Sequence, residues 1–522
     1  MQGKRKLTTD WTVFLISGGF LLLFIIVSFI DAEMVGNWIT VSFDASAKFF
    51  GAYWQVLLLG NFLIGLYLAI SKYGNVKLGN QDKPQYSYYR WVAMILTTLL
   101  ASGGVFWAAA EPMYHYMNTP PLLGGGEFNN EAGAFGHAFM HWGFVAWAIL
   151  GTLSTIVMMY VHYGKGYPLQ PRAILYPILG KKVYEKSFIG STADILSIIA
   201  VAAGTLGPLG FLGLQVGYGL HHLFGIPNSL TLSIFLVIGL VTIAAISAGS
   251  GIDKGIQLLS RINIGMTILL AIVILIIGPT MYIFDMFVAG QGSYLQNFFE
   301  MSLYRGDGEW LGAWTIFFWG WFLGYGPMMA IFISRISRGR TIRELVIAVS
   351  IVAPLVSNFW FAVVGGTGIF LEKENPGSVS TFLAESGMPA AVMAIMDQLP
   401  FPSLLAFGFI TVAIVFVATT ADTISYTVAV TLTGDDRPQG WLRVFWALIF
   451  GALSIVLLII GEGSITAIQN FIVVTAVPVS ILLLPPLWIA PQVAKQMALE
   501  QGIVREKQVK KAPALKETVI HK

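Results

Sequence analysis

Cysteine is absent from all 522 residues, which excludes disulfides, thiolate catalysis and any cysteine-ligated metal. Charge is nearly as scarce. Only 11% of the residues are Asp, Glu, Lys or Arg, against 56% hydrophobic, and mean hydropathy is +0.74. A chain of this length with so little charge cannot cover a soluble surface, so a soluble enzyme is excluded and a polytopic membrane protein is implied. One side of the membrane lacks basic residues almost entirely, as the loops show below. Aromatics, in contrast, are plentiful, with 36 Phe, 19 Tyr and 15 Trp.

Apolar runs of roughly 20 residues each suffice to span a bilayer. Twelve are expected, at about 11–30, 50–71, 91–112, 136–162, 192–220, 228–248, 261–284, 311–334, 343–371, 402–432, 441–461 and 464–489. The first is long and has no small-residue cleavage site after it, so it reads as a span and not a signal peptide. Segments 292–303 and 374–398 read as partly helical and interfacial. If Lys4, Arg5 and Lys6 are cytoplasmic, every other Lys and Arg falls on that same side except Lys48, Arg305 and Lys373. That asymmetry places both termini inside. The net charge of +3 is thus a topology signal, with no nucleic-acid partner implied.

Two spans are interrupted by small residues. The third reads Thr97-Thr-Leu-Leu-Ala-Ser-Gly-Gly-Val-Phe-Trp107, and the eighth carries Gly320, Gly324, Gly326 and Pro327. Broken helices at matching places in two five-helix halves point to an inverted-repeat secondary transporter with a midplane site. The chain then divides into an N-terminal tail (1–10), two peripheral helices (11–90), a first repeat with a following interfacial helix (91–310), a second repeat (311–489) and a basic C-terminal tail (490–522). The tail segment Arg505-Glu-Lys-Gln-Val-Lys-Lys511 is either a solvated positive-inside tail or an anionic-lipid contact.

Chemistry concentrates in three helices. The fourth holds Phe139-Met-His-Trp-Gly-Phe-Val-Ala-Trp147, where Trp142 and Trp147 lie about 140° apart on a helix and could flank a ligand. In the eighth, Phe318, Phe322 and Tyr325 form a stripe beside Trp321. Lipid-facing belt aromatics are the ordinary reading of such residues. Mid-helix placement, interleaved glycines and recurrence on two helices favour a cation-binding box, whose usual guests are quaternary ammonium compounds. The tenth helix carries Thr419 and Thr420, hard oxygen donors suited to sodium or, alternatively, hydroxyls bonded back to their own helix. Asp422 on the same helix is costly at membrane depth and so is paired or functional. Glu111 and Asp194, at helix ends, read as structural. His137 and His141 have a metal spacing, but no carboxylate–histidine motif accompanies them, so packing or hydrogen bonding is favoured. Arg261 is either a snorkelling interfacial residue or a fixed cation inside the bundle, replacing a coupling ion.

These motifs resemble the betaine/choline/carnitine transporter family. The resemblance rests on Trp314-Thr-Ile-Phe-Phe-Trp-Gly-Trp321, Pro327 and above all Ile333-Ser-Arg-Ile-Ser-Arg-Gly-Arg-Thr-Ile-Arg-Glu344. Glu111-Pro112, His141-Trp142 with Trp147, Lys254-Gly-Ile-Gln and Thr419-Thr-Ala-Asp422 extend it over nearly the whole chain. It implies an all-α fold of twelve transmembrane helices, with a leucine-transporter-like five-plus-five inverted repeat preceded by two extra helices. It also implies a homotrimer in the cell inner membrane, and alternating-access import of betaine-, choline-, carnitine-, dimethylsulfoniopropionate- or ectoine-type osmolytes, commonly with sodium as coupling ion. By position, Trp142, Trp147, Trp321, Phe322 and Tyr325 would line the substrate site, with Tyr114 as a further contact. Backbone amides near Ser102 and Gly103 would meet a substrate carboxylate. Thr419 and Thr420, the ring of Phe416 and main-chain oxygens near Thr97 and Leu100 would hold sodium.

The departures from betaine carriers bear on the substrate. Those carriers have consecutive tryptophans where this chain has Trp321-Phe322, tryptophan where it has Tyr325, and tyrosine where it has Leu150. Fewer indoles make a weaker cation host, by about 0.5–1 kcal/mol per exchange. Carnitine-type exchangers share the tyrosine but carry a cation at the position of Asn263, which leaves a sodium-independent exchanger as the alternative function. No cluster of nucleophile, base and metal ligand suggests an enzyme, and a tail of about 30 residues is short for an osmosensor.

Overall fold

The computed structural model describes residues 9–128, 130–185, 187–250, 253–434 and 438–505, with the side chains of 97–102, 250 and 253–260 excepted. The readings at Lys4–Lys6, at Lys507–Lys511, and at the side chains of Thr97, Leu100, Ser102 and Lys254 lie outside these. Among the described residues the regular elements are helical, and one isolated bridge joins Lys77 to Thr341.

Helix α1 (Trp11–Ile30) starts at Asp10, whose carboxylate caps the Val13 amide at 3.2 Å. Helix α2 (Ala32–Ile70) is longer than the run that marks it in the sequence. At 1.5 Å per residue it spans about 58 Å, so it overshoots a bilayer core of about 30 Å. Helix α3 (Tyr88–Met117) runs unbroken through Ser102–Gly104. The interruption expected there does not occur. A helical glycine costs only about 1 kcal/mol, whereas a backbone amide left unpaired in an apolar bundle costs several.

The fourth span breaks instead. It comprises α4 (Glu131–His141), α5 (Phe144–Gly151) and α6 (Leu153–Met159), interrupted at Trp142–Gly143 and at Thr152. Gly143 permits the first break, since a Cβ there would lie 2.2 Å from the Phe139 carbonyl oxygen. Helices α7 (Phe188–Phe224), α8 (Leu230–Ser250) and α9 (Asp253–Ile277) follow. The seventh expected run then ends early. Pro279 cannot donate to the helix, and α10 (Thr280–Gln296) leaves at 110° to the preceding axis.

Helix α11 (Phe317–Ile336), entered through a π turn at Gly312–Ile316, also passes its glycines and Pro327 without a break. Next come α12 (Ile342–Ile347), α13 (Ala353–Glu374), α14 (Pro402–Thr433), α15 (Gly440–Ile460) and α16 (Thr466–Leu482). Helix α17 (Pro486–Glu500) bends 42° from α16, so helix continues into what reads in the sequence as tail. Nine helical runs are long and apolar enough to cross a membrane, or eleven with the two bent pairs, among the described residues. The third expected run lies on α3, part of whose side chains are outside that description.

Burial sorts these spans into centre and periphery. In Glu131–Gly164 and Gly308–Ile336, 94% of the most apolar stretch is buried, against 28% in Leu230–Gly249. Helix α11 packs on α5, α7 and α16, and α3 packs on α4 and α13. The lipid-belt reading of the α4–α5 and α11 aromatics therefore fails: they occupy the middle of the bundle.

The arginine end of α11 fastens a loop. Arg340 donates to Glu344 and to the Tyr86 carbonyl, and Arg343 donates to the Ala69 carbonyl and Asn75. Backbone bonds link Gly339 to Leu78, Leu78 to Arg340, and Ile342 to Val76. Gly339 has φ +79°, and a Cβ would lie 2.4 Å from the Lys83 carbonyl oxygen. Gly339→Ala is expected to cost about 1–3 kcal/mol, read as a lower melting temperature of the purified protein. An unchanged melting temperature would contradict the clash.

Candidate functional site

The aromatic cluster is assembled from four helices. Trp142, at the α4–α5 break, meets Phe318, Trp321 and Phe322 of α11 with ring centroids 5.7, 6.1 and 5.7 Å away, and Phe361 of α13 at 5.1 Å. Trp321 also meets Phe211 of α7 at 5.8 Å. Every one of these rings is at least nine-tenths buried. Both indoles are fixed by their N–H groups: Trp142 donates to Glu111 Oε2 at 2.9 Å and Trp321 to the Gly204 carbonyl at 3.0 Å.

Glycines let the rings in. A Cβ at Gly103 would lie 2.5 Å from Trp321 and 2.8 Å from Trp142. At Gly204 it would lie 2.7 Å from the Tyr325 ring, and at Gly207 3.1 Å from Trp321. The small residues of α3 and α7 thus serve close approach of indoles rather than a break in the helix. The rings rest on one another in this arrangement, so a guest would enter by parting them.

The residues singled out in the sequence divide accordingly. Trp142, Trp321, Phe322, Tyr325 and Gly103 come together. Trp147 does not join: it is fully buried, and its ring makes no aromatic contact among the described residues. The break at Gly143 lies between the two tryptophans, so the angular spacing of a continuous helix does not relate them. Tyr114 is half-buried and packs on Trp314 at 4.7 Å, with no ring contact to Trp321 among the described residues. Amides freed by a broken α3 are absent, because α3 is continuous. Instead the Gly104 carbonyl accepts the Trp360 indole N–H at 3.0 Å. Phe318, read in the sequence as part of the stripe, joins as well, whereas Phe361, Phe211, Gly204 and Gly207 were missed.

The remaining polar residues also find places. Helix α14 packs on α3. There the Thr419 hydroxyl donates to the Val415 and Phe416 carbonyls at 2.9 and 3.1 Å, Thr420 is buried, and the Phe416 ring is buried beside them. Asp422 pairs with Arg443 of α15 at 2.9 Å. Asp194 accepts the Arg172 guanidinium at 2.6 Å, a structural role. Arg261 is exposed, which suits snorkelling, whereas Asn263 is buried. Glu111 lies fully buried between His141 and Trp142.

A family model described as BCCT, betaine/carnitine/choline family transporter, matches residues 12–499. The chain belongs to this family. It is 50% identical over 501 residues to glycine betaine transporter 2 of Vibrio parahaemolyticus, covering 96% of this chain and 93% of that one. It is 31% identical over 487 residues to the ectoine/hydroxyectoine transporter of Virgibacillus pantothenticus, covering 92% and 95%. It is 33% identical over 475 residues to the glycine betaine transporter OpuD of Bacillus subtilis, covering 88% and 89%. As a BCCT member the chain is a multi-pass membrane transporter for a small osmolyte and not an enzyme.

Proposed function

We propose that this protein imports a zwitterionic or cationic methylated osmolyte, of the glycine betaine or ectoine type, by sodium-coupled alternating access. The observation that carries the reading is the buried cluster of Trp142, Trp321 and Phe322 at the centre of the bundle. An onium group gains cation–π attraction from such faces without a formal negative charge, worth about 2 kcal/mol or more when desolvated. Trp142 and Trp321 would hold it, Phe322 and Tyr325 would bound it, and parting and closing of these rings would accompany the change of access. Trp147 and Tyr114, away from the rings here, would reach substrate only in another conformation.

The sodium site would comprise Thr419, Thr420, the Phe416 ring and main-chain oxygens near Thr97 and Leu100. A hydroxyl that donates to a backbone carbonyl keeps its lone pairs for a cation, as the Thr419 bonds allow. The family supports the wider expectation: twelve spans, a leucine-transporter-like five-plus-five repeat after two extra helices, homotrimers, and cytoplasmic termini in the cell inner membrane.

Uptake of radiolabelled betaine and ectoine into proteoliposomes tests the reading. Accumulation is expected with an inward sodium gradient, and a drop of at least tenfold when potassium replaces sodium. Accumulation of neither osmolyte would overturn the substrate class. Undiminished uptake in potassium would replace the symporter by a carnitine-type exchanger.

A further inference from the structure

The first half of the fourth span meets the end of α3 in a cluster that borders the aromatic site, touching it through Glu111 and His141, and whose histidines have no role there. Glu111 and His115 stand one helical turn apart on α3, and His137 and His141 one turn apart on α4. All four side chains are fully buried or within 1% of it. His141 Nδ1 lies 2.6 Å from Glu111 Oε1, and His115 Nε2 lies 3.5 Å from the same oxygen. One ligand atom from each of Glu111, His115 and His141 falls within 4.8 Å of the others. Trp310 and Trp314 cover the group, with ring centroids 4.5 Å from His137 and His115 respectively.

Hydrogen bonding accounts for only half of this cluster. His141 spans Glu111 and the Thr315 hydroxyl, at 2.6 and 3.0 Å, and Glu111 reaches both His141 and Trp142. Among the described residues, neither ring nitrogen of His115, and neither of His137, has a hydrogen-bond partner. Buried polar atoms left so cost about 1–3 kcal/mol each. Packing alone gives no reason to place imidazoles, rather than apolar rings, at these two positions.

We propose that Glu111, His115 and His141 form a buried binding site for a transition-metal ion of the zinc class, with His137 beside it as a further nitrogen donor. Zinc bonds of about 2.0–2.1 Å in a tetrahedron separate the ligand atoms by about 3.3 Å. The two observed separations, 2.6 and 3.5 Å, bracket that edge, so small side-chain shifts admit the ion. The imidazole and carboxylate donors select zinc, cobalt or nickel over magnesium or calcium, which prefer all-oxygen sites. The ion would tie α3 to α4, and Glu111 Oε2 would remain available to the Trp142 indole.

The test reads metal and not transport, so it stands apart from the osmolyte assignment. The full chain, purified without a polyhistidine tag, is stripped with chelator, loaded with Zn²⁺, desalted and analysed for metal. About one ion per chain is expected. His115→Gln and His141→Gln should each weaken binding at least tenfold, while His162→Gln, whose Nδ1 faces the Tyr167 carbonyl elsewhere, should retain the ion. Should the variants fail to fold, X-ray absorption of the zinc-loaded native chain counts imidazole ligands directly. Substoichiometric metal in the native chain, full occupancy in both variants, or a spectrum without imidazole scattering would overturn the site.

Discussion

Trp321→Ala is expected to lower osmolyte uptake at least thirtyfold while the protein still reaches the membrane. A desolvated cation–π contact is worth about 2 kcal/mol, which is about thirtyfold in affinity. Trp321 is also the ring on which the others converge, since it touches Phe211, Phe317, Phe318, Phe322 and Trp142. A large-to-small change at a buried tryptophan costs about 3–5 kcal/mol of stability as well. The two effects must therefore be separated. Trp321→Phe keeps a ring and most of the volume, so it should retain folding and lose affinity only in part. Uptake is normalised to protein in the membrane by immunoblot, and the affinity of solubilised protein for betaine is measured alongside. Native affinity in folded Trp321→Ala would remove this ring from the proposed substrate site.

Much of this arrangement was legible because membranes simplify the reading. Apolar runs follow from the cost of polar groups in hydrocarbon, which has no soluble counterpart, and most of them reappear as spans. The α11 stripe survived as read because α11 is continuous, so the spacing of Phe318, Trp321, Phe322 and Tyr325 maps onto one face. Trp147 falls outside the ring cluster for the opposite reason. A single glycine decides whether five residues of helix arithmetic apply, and Gly143 looks no different in sequence from Gly320, at which the helix does not break. The glycines of α3 misled by function: they admit indoles from other helices, a tertiary fact that no local pattern carries. The Glu111–histidine cluster was invisible for the same cause. Its carboxylate lies 30 positions from His141 along the chain, and only the packing of α3 on α4 supplies what the His137–His141 spacing lacked.

Gly103→Val should prove as damaging as the loss of Trp321, by filling the space instead of emptying it. A Cβ at this position would lie 2.5 Å from one indole and 2.8 Å from the other. Neither ring can withdraw freely. Trp142 is held through its N–H by Glu111 and Trp321 through its N–H by Gly204, hydrogen bonds worth about 0.5–1.5 kcal/mol each. Overpacking adds about 1–3 kcal/mol. Uptake should fall more than tenfold in Gly103→Ala and further in Gly103→Val, with helix α3 itself favoured, since alanine suits a helix better than glycine. That opposition makes the result diagnostic: helix propensity predicts gain, and indole contact predicts loss. A double variant, Gly103→Ala with Trp321→Phe, locates the contact. Removing the far ring of Trp321 relieves the closer of the two approaches and leaves the one to Trp142, so the two changes should couple by about 1 kcal/mol or more in the direction of partial rescue. Strict additivity would mean that Gly103 and Trp321 do not meet, and the close approach that defines the site would have to be abandoned.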